Sequence, residues 1–260
     1  MEYQIREENI KLEEEKATKQ KINILVSEYF SNNNFKTLIG FLFFYVLIEI
    51  LKFVENFYWV DLIAIISSVF VVIGLRGFYS EMLCRSSSNQ SLGLTVISIN
   101  ILFVLSLVKV VISVFLLLPL IVKASFVLII LIALAGVMVI NVQAYYYTSR
   151  CLSIIKDLVD DNIIRYNRTK HYFNKGCSKW LLTGFINAFI YLVSLLYNDY
   201  EGSVNIQNID YKKIVNLGGF SKVIYIISII LNLIVPFILA TSLDAAKNGI
   251  LNISSKVNEK

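Results

Sequence analysis

Six apolar runs divide this chain, at Thr37–Val54, Val60–Leu75, Gly93–Leu118, Val122–Tyr147, Trp180–Tyr197 and Phe220–Leu243, and its positive charges are sorted between the connecting segments. Of the 24 Lys and Arg residues, 18 fall in alternate segments: six before the first run, two between the second and third, seven between the fourth and fifth, and three after the sixth. The other segments and their flanks hold only Lys52, Lys123, Lys212, Lys213 and Lys222, while Lys109 lies inside a run. A hydrocarbon core about 30 Å thick takes roughly 20 apolar residues of helix to cross, and it offers no water to a backbone that is not helical. Cationic segments stay on the cytoplasmic side. The pattern predicts an all-α, polytopic integral membrane protein with six transmembrane helices and both termini cytoplasmic.

Composition agrees with lipid as the main solvent: 57% of residues are hydrophobic, mean hydropathy is +0.67, and there are two prolines. The net charge of +5 does not point to nucleic acid, because the cations flank apolar runs rather than gathering with aromatics on one soluble module. They are placed to meet the lipid bilayer and its anionic head groups. Cys84, Cys151 and Cys177 fall near cytoplasmic ends of runs without any CxxC pair, and read as free thiols. Polar residues precede the first run, which is expected to serve as an uncleaved insertion signal. Abundant Ile, Asn and Lys suggest the plasma membrane of a low-GC bacterium.

Residues 1–36 read as a charged cytoplasmic helix and an interfacial segment. Glu7 with Lys11, and Glu15 with Lys19, have the i,i+4 spacing of a solvated helix. The apolar stretch 22–30 is too short to cross, so it lies in the interface or packs under the bundle before a break at Ser31 to Asn34. Residues 37–147 hold the first four spans, with Phe57, Tyr58 and Trp59 at head-group level, Pro119 and Lys123 marking the third turn, and Tyr145 to Tyr147 closing the fourth span as an interfacial belt. In 148–179, Leu152, Ile155, Val159, Ile163 and Tyr166 recur at helical spacing, which predicts an amphipathic cytoplasmic helix continuous with the fourth span, followed by a basic loop. Residues 180–243 supply the last two spans with an external loop at 198–219, and 244–260 form a cytoplasmic tail.

At 1.5 Å of rise per residue, polar residues inside the runs acquire depths. Glu49 and Lys109 lie at matching depth in spans of the same direction, so they are expected to pair, because an unpaired charge near mid-membrane costs at least about 2.5–3.5 kcal/mol. Lys52 competes for Glu49 at i+3 but is expected to reach for the outer surface, and Asp61 for water. Asn100 and Asn141 are equidistant from a hairpin centre between Leu120 and Ile121, and Asn187 and Asn232 both fall near mid-membrane. These four are read as interhelical polar contacts. Ala64, Ser67 and Ser68 read as a small-residue contact face.

The chain carries no GxxxxGK[ST], HExxH or GxSxG motif, and its single histidine and three dispersed cysteines make no metal-ligand set. No cofactor is implied. His171, six residues before Cys177, is the one pairing that intramembrane thiol chemistry would need, and no third residue orients it. Arg165, Arg168, Lys170, Lys175 and Lys179 are placed to contact anionic lipid or a partner. These features favour a transport or permease-type membrane subunit without its own ATPase, served by a cytoplasmic ATPase or another membrane protein. The alternative is a non-catalytic accessory or toxin-immunity (bacteriocin-immunity) membrane protein that acts by binding.

Overall fold

The computed structural model describes residues 2–55, 59–84, 90–121, 125–161, 166–197 and 219–258. Among these, every element is a helix: α1 (Glu2–Phe30), α2 (Asn33–Glu55), α3 (Trp59–Leu83), α4 (Gln90–Ile121), α5 (Ser125–Asp161), α6 (Tyr166–Tyr197) and α7 (Gly219–Asn258). Four described stretches are long and apolar enough to cross a membrane, namely Asn33–Lys52, Trp59–Leu83, Gln90–Ile112 and Ile226–Val257. Phe43, Phe44, Ile73, Ile97, Phe185 and Phe189 are each more than half exposed. A water-soluble surface does not carry so wide an apolar belt, whereas lipid requires one. The chain is a membrane-embedded helical protein.

Helices α2 to α7 form a ring in which each packs on the next in chain order and α7 returns to α2. Helix α1 lies across one end, against α7, α3 and α5. A single asparagine makes the corner between α1 and α2. Asn32 accepts the Phe35 N–H at 3.1 Å, which caps α2, and donates to the Tyr29 carbonyl at 2.7 Å, which closes α1. The apolar part of α1 packs under the bundle rather than in the interface, with Ile22, Val26 and Phe30 fully buried. There Phe30, Phe35 and Phe78 meet edge to face, with ring centres 5.8, 6.0 and 5.9 Å apart. Burial of side chains of this size stabilises by roughly 1.5–3 kcal/mol each.

Two boundaries differ from the expectation. The segment 244–260 is no tail, because α7 runs on to Asn258 and buries Ala246, Ile250 and Ile253 in the core that α1 completes. The basic stretch before Trp180 is no loop, because α6 begins at Tyr166 and carries it as helix. The amphipathic helix is continuous with the fourth run as expected through Asp161, and its apolar face, Leu152, Ile155 and Val159, is buried within this same chain. Residues 198–218, nearly all of the external loop, lie outside the described residues, as do Phe57, Tyr58 and Lys123.

Small residues set the closest approach. A Cβ on Gly74 of α3 would stand 2.8 Å from the Ser91 carbonyl oxygen of α4, so the two backbones meet where Gly74 and Gly77 face Ser91 and Thr95. Ser91 Oγ adds a hydrogen bond to Glu81 Oε1 at 2.6 Å. The expected contact face of Ala64, Ser67 and Ser68 divides otherwise: Ser67 is buried, whereas Ala64 and Ser68 line the interior. Between α4 and α5, Asn100 faces Ser149, Phe103 faces Tyr146 and Gly93 faces the Lys156 stem. All three pairs are centred between positions 124 and 125, four residues beyond the expected centre, because α4 continues past Pro119 to Ile121.

Candidate functional site

Each helix of the ring turns one stripe inward. Along α5 the stripe is Asn141, Tyr145, Thr148, Leu152 and Ile155, whose steps of four and three residues keep one face on the axis. Together the six stripes enclose a cavity of about 390 Å³, within the size range of small-molecule sites. Its walls change character along the axis. Toward α1 they are apolar, with Phe35, Leu38, Val72, Leu75, Ile155 and Ala246. At the far end stand Ser106, Lys109, Asn141, Thr183, Asn187 and Asn232. Between the two zones, Trp180 Nε1 donates to Thr148 Oγ1 at 2.8 Å and packs edge to face on Tyr145.

The polar zone owes its form to a proline. Pro236 inside α7 has no N–H, so the carbonyl of Asn232, four residues earlier, lacks its helical donor. Asn187 of α6 replaces that donor, with Nδ2 at 3.0 Å from the Asn232 carbonyl oxygen. The Asn232 side chain meanwhile donates to the Ser228 carbonyl at 2.9 Å. Ser228 Oγ accepts from Lys52 Nζ at 3.1 Å, and Lys52 also holds Glu49 at 3.1 Å. A polar chain thus runs from Glu49 on α2 through α7 to Asn187 on α6 and the cavity wall.

The structure places the expected site residues as follows. It does not join Glu49 to Lys109: α3 stands between α2 and α4 in the ring, Glu49 holds Lys52 of its own helix, and Lys109 reaches Asp61 of α3 at 2.7 Å. Lys52 is held by Glu49 and by Ser228 of α7, and Asp61 is paired. Asn187 and Asn232 are brought together, side chain to backbone. Asn100 and Asn141 are not. Asn100 accepts from Ser149 at 2.5 Å across the α4–α5 seam, and Asn141 accepts from Thr183 at 3.1 Å across the α5–α6 seam. The three tyrosines each meet a neighbouring helix, Tyr145 packing on Trp180, Tyr146 on Phe103 and Tyr147 on Tyr172.

No protein-family model, curated protein or solved structure matches this chain. Its chemistry is therefore read from its own residues.

Of the basic group, Lys170 and Lys175 are exposed on the first turns of α6 and Lys179 is half-buried. Arg165 and the Arg168 side chain lie outside the described residues. Cys177 and His171 leave α6 on different faces, because six residues turn a helix through about 600°. Burial pushes the Cys177 thiol up, the Asp244 carboxylate adds to this, and Lys247 opposes it. A nucleophilic thiol requires the reverse. Cys151 is raised as well, mainly by burial. Among the described residues no three His, Cys, Asp or Glu side chains converge as metal ligands.

Sequence reasoning passed over Pro236, Trp180 and the Gly74–Gly77 contact. Pro236 was the visible signal, since a proline inside a span frees one carbonyl and implies a polar partner on a neighbouring helix.

Proposed function

We propose that this protein is a transport-type membrane subunit with six spans and no ATPase of its own, in which the central cavity holds the solute. One observation carries the reading: a cavity walled by one stripe from every helix of the ring, with its hydrogen-bonding groups gathered at one end. Such enclosed space is costly in a purely structural bundle, where small residues and close packing are preferred. In this reading α1 and both termini face the cytoplasm. The exposed cations Lys36 and Arg76, close in sequence to the Phe35 and Phe78 rings that pack on α1, support this orientation. The buried apolar face of α5 leaves Lys170 and Lys175 as the contact that a cytoplasmic ATPase would use.

A chain in which Cys84, Cys151 and Cys177 are replaced by Ala, carrying Ser106→Cys or Thr183→Cys, tests the reading. Membrane-impermeant thiol reagents applied to oriented vesicles are expected to label both positions from one side. Failure to label either from both sides, in folded protein, would overturn it. Recovery of a stoichiometric ATPase after mild detergent extraction would identify the energy source. The alternative, an accessory or immunity-type protein that acts by binding, would rest on the 198–219 loop and the charged α1, and a neighbouring toxin gene without an ATPase gene would favour it.

A further inference from the structure

The axial division of the cavity selects a class of solute. Four cross-helix contacts fix the heights of its walls: Lys109 with Asp61, Thr183 with Asn141, Asn187 with Asn232, and Trp180 with Thr148. On this scale the polar groups form one continuous zone away from α1. Below Thr148 the α5 stripe continues as Leu152 and Ile155, facing Leu38 of α2, Val72 of α3 and Ala246 of α7. From Asn141 to Ile155 the helix rises about 21 Å. At the apolar end Phe35 lines the cavity and packs on the Phe30 and Phe78 rings, which belong to the same core as the buried face of α1. A polar solute would leave this lower half without a partner, and an apolar one would strand the asparagines.

We infer that the cavity binds a single-chain amphiphile, with its hydrocarbon chain directed toward α1 and its head group among Asn141, Asn187, Asn232 and Ser106. The inference rests on reading the cavity as a solute site. Head-group chemistry follows from the groups on offer. Among the described residues, Asn141 Nδ2 is an unused donor and Asn187 Oδ1 and Asn232 Oδ1 are unused acceptors. Lys109 is already neutralised by Asp61. The site therefore matches a head group that is uncharged or zwitterionic and that both donates and accepts hydrogen bonds. Entry from the bilayer is available at the α2–α3 seam, the least extensive of the six around the ring, where Val46 and Ser68 of the lining lie behind the lipid-facing Phe43 and Phe70.

Trp180 supplies the reporter, because it lies at the junction of the two zones and the other tryptophan, Trp59, is exposed outside the cavity. The full chain with Trp59→Phe, in phosphatidylcholine nanodiscs, is titrated with a lysophosphatidylcholine brominated at mid-chain. Saturable quenching of Trp180 is expected, reversed by the unbrominated lipid and reduced when Val72→Phe or Ala246→Leu fills the apolar zone from either of two helices. Quenching that does not saturate, that two-chain brominated phosphatidylcholine reproduces, or that both filled variants retain would overturn the proposal. Acrylamide separates the two readings. If acrylamide quenches Trp180 and the lysolipid does not bind, the cavity remains a solute site and the amphiphile is wrong. If neither quenches, both readings fall.

Discussion

The side chain of Asn187 and the backbone of Asn232 complete a hydrogen bond that α7 cannot make for itself. Pro236 removes the donor, Asn187 restores it at 3.0 Å, and α6 is thereby keyed to one height on α7. The asparagine is thus paired to a proline in chemical terms, though the two sit on different helices.

Asn187→Leu should destabilise the protein by about 1–2 kcal/mol, since it leaves a carbonyl unsatisfied. In a Pro236→Ala background, where the helical N–H returns, the same change should cost much less. Unfolding in detergent of the two single variants and the double variant gives the coupling. Equal costs in both backgrounds would contradict the account.

The glycines make a contrast within one chain. Gly74→Ala would push a Cβ to within 2.2 Å of Thr95 Oγ1 and 2.8 Å of a backbone oxygen, so α3 and α4 must part, at a cost of about 1–3 kcal/mol. Gly40→Ala and Gly136→Ala meet nothing within 4 Å and should be neutral or stabilising by up to about 1 kcal/mol. Thermal midpoints of the three variants decide this.

Lys109 and Asp61 are each close to half exposed, but both lie in apolar spans, where exposure is to lipid or the cavity and an unpaired charge costs at least about 2.5–3.5 kcal/mol. A double-mutant cycle with Asp61→Asn and Lys109→Met should yield more coupling than the roughly 0.2–1 kcal/mol of a pair in water. The cycle of Glu49→Gln with Lys109→Met should be additive, because α3 separates the two helices.

The thiols predict a pH dependence. Burial raises both Cys151 and Cys177, so the folded chain keeps protons that the unfolded chain releases. That contribution is complete below the ordinary thiol range and is lost progressively as pH rises above it toward the raised folded values, so stability should begin to fall above about pH 8.5 and still be falling at about pH 10. Cys151→Ala should flatten part of the slope. In the native protein a maleimide should label exposed Cys84 ahead of buried Cys151, which peptide mass spectrometry can follow.

How much of this was legible depended on which coordinate was asked for. Hydropathy and rise per residue assign a residue a depth along the membrane normal, so Lys109 and Glu49 received matching depths. Neither quantity says which helices are neighbours, and the ring order puts Asp61 beside Lys109 instead. The α4–α5 hairpin shows the same limit in another form. Placing its turn at Pro119 moved the expected centre by four residues, about one helical turn, and sent Asn100 to Asn141 rather than to Ser149. The heptad-like spacing of Leu152, Ile155 and Val159 was legible because periodicity alone determines a face. That the partner of this face would be α1 and α7 of the same chain was not legible, since those contacts join residues far apart in sequence.

That distance orders events during synthesis. Lys21 donates to the Lys256 carbonyl at 3.0 Å, and Gly249 lies against the Tyr29 ring, so α1 docks on α7, which is synthesised after it and after the five helices between them. Until then Ile22, Val26 and Phe30 have no α7 to cover them. A nascent chain must hold this apolar face apart from the bilayer and from other proteins while all the spans are inserted. Closure of the cavity floor is accordingly a late step of biogenesis, and chains arrested before α7 is complete would present α1 as an unburied hydrophobic surface to quality control.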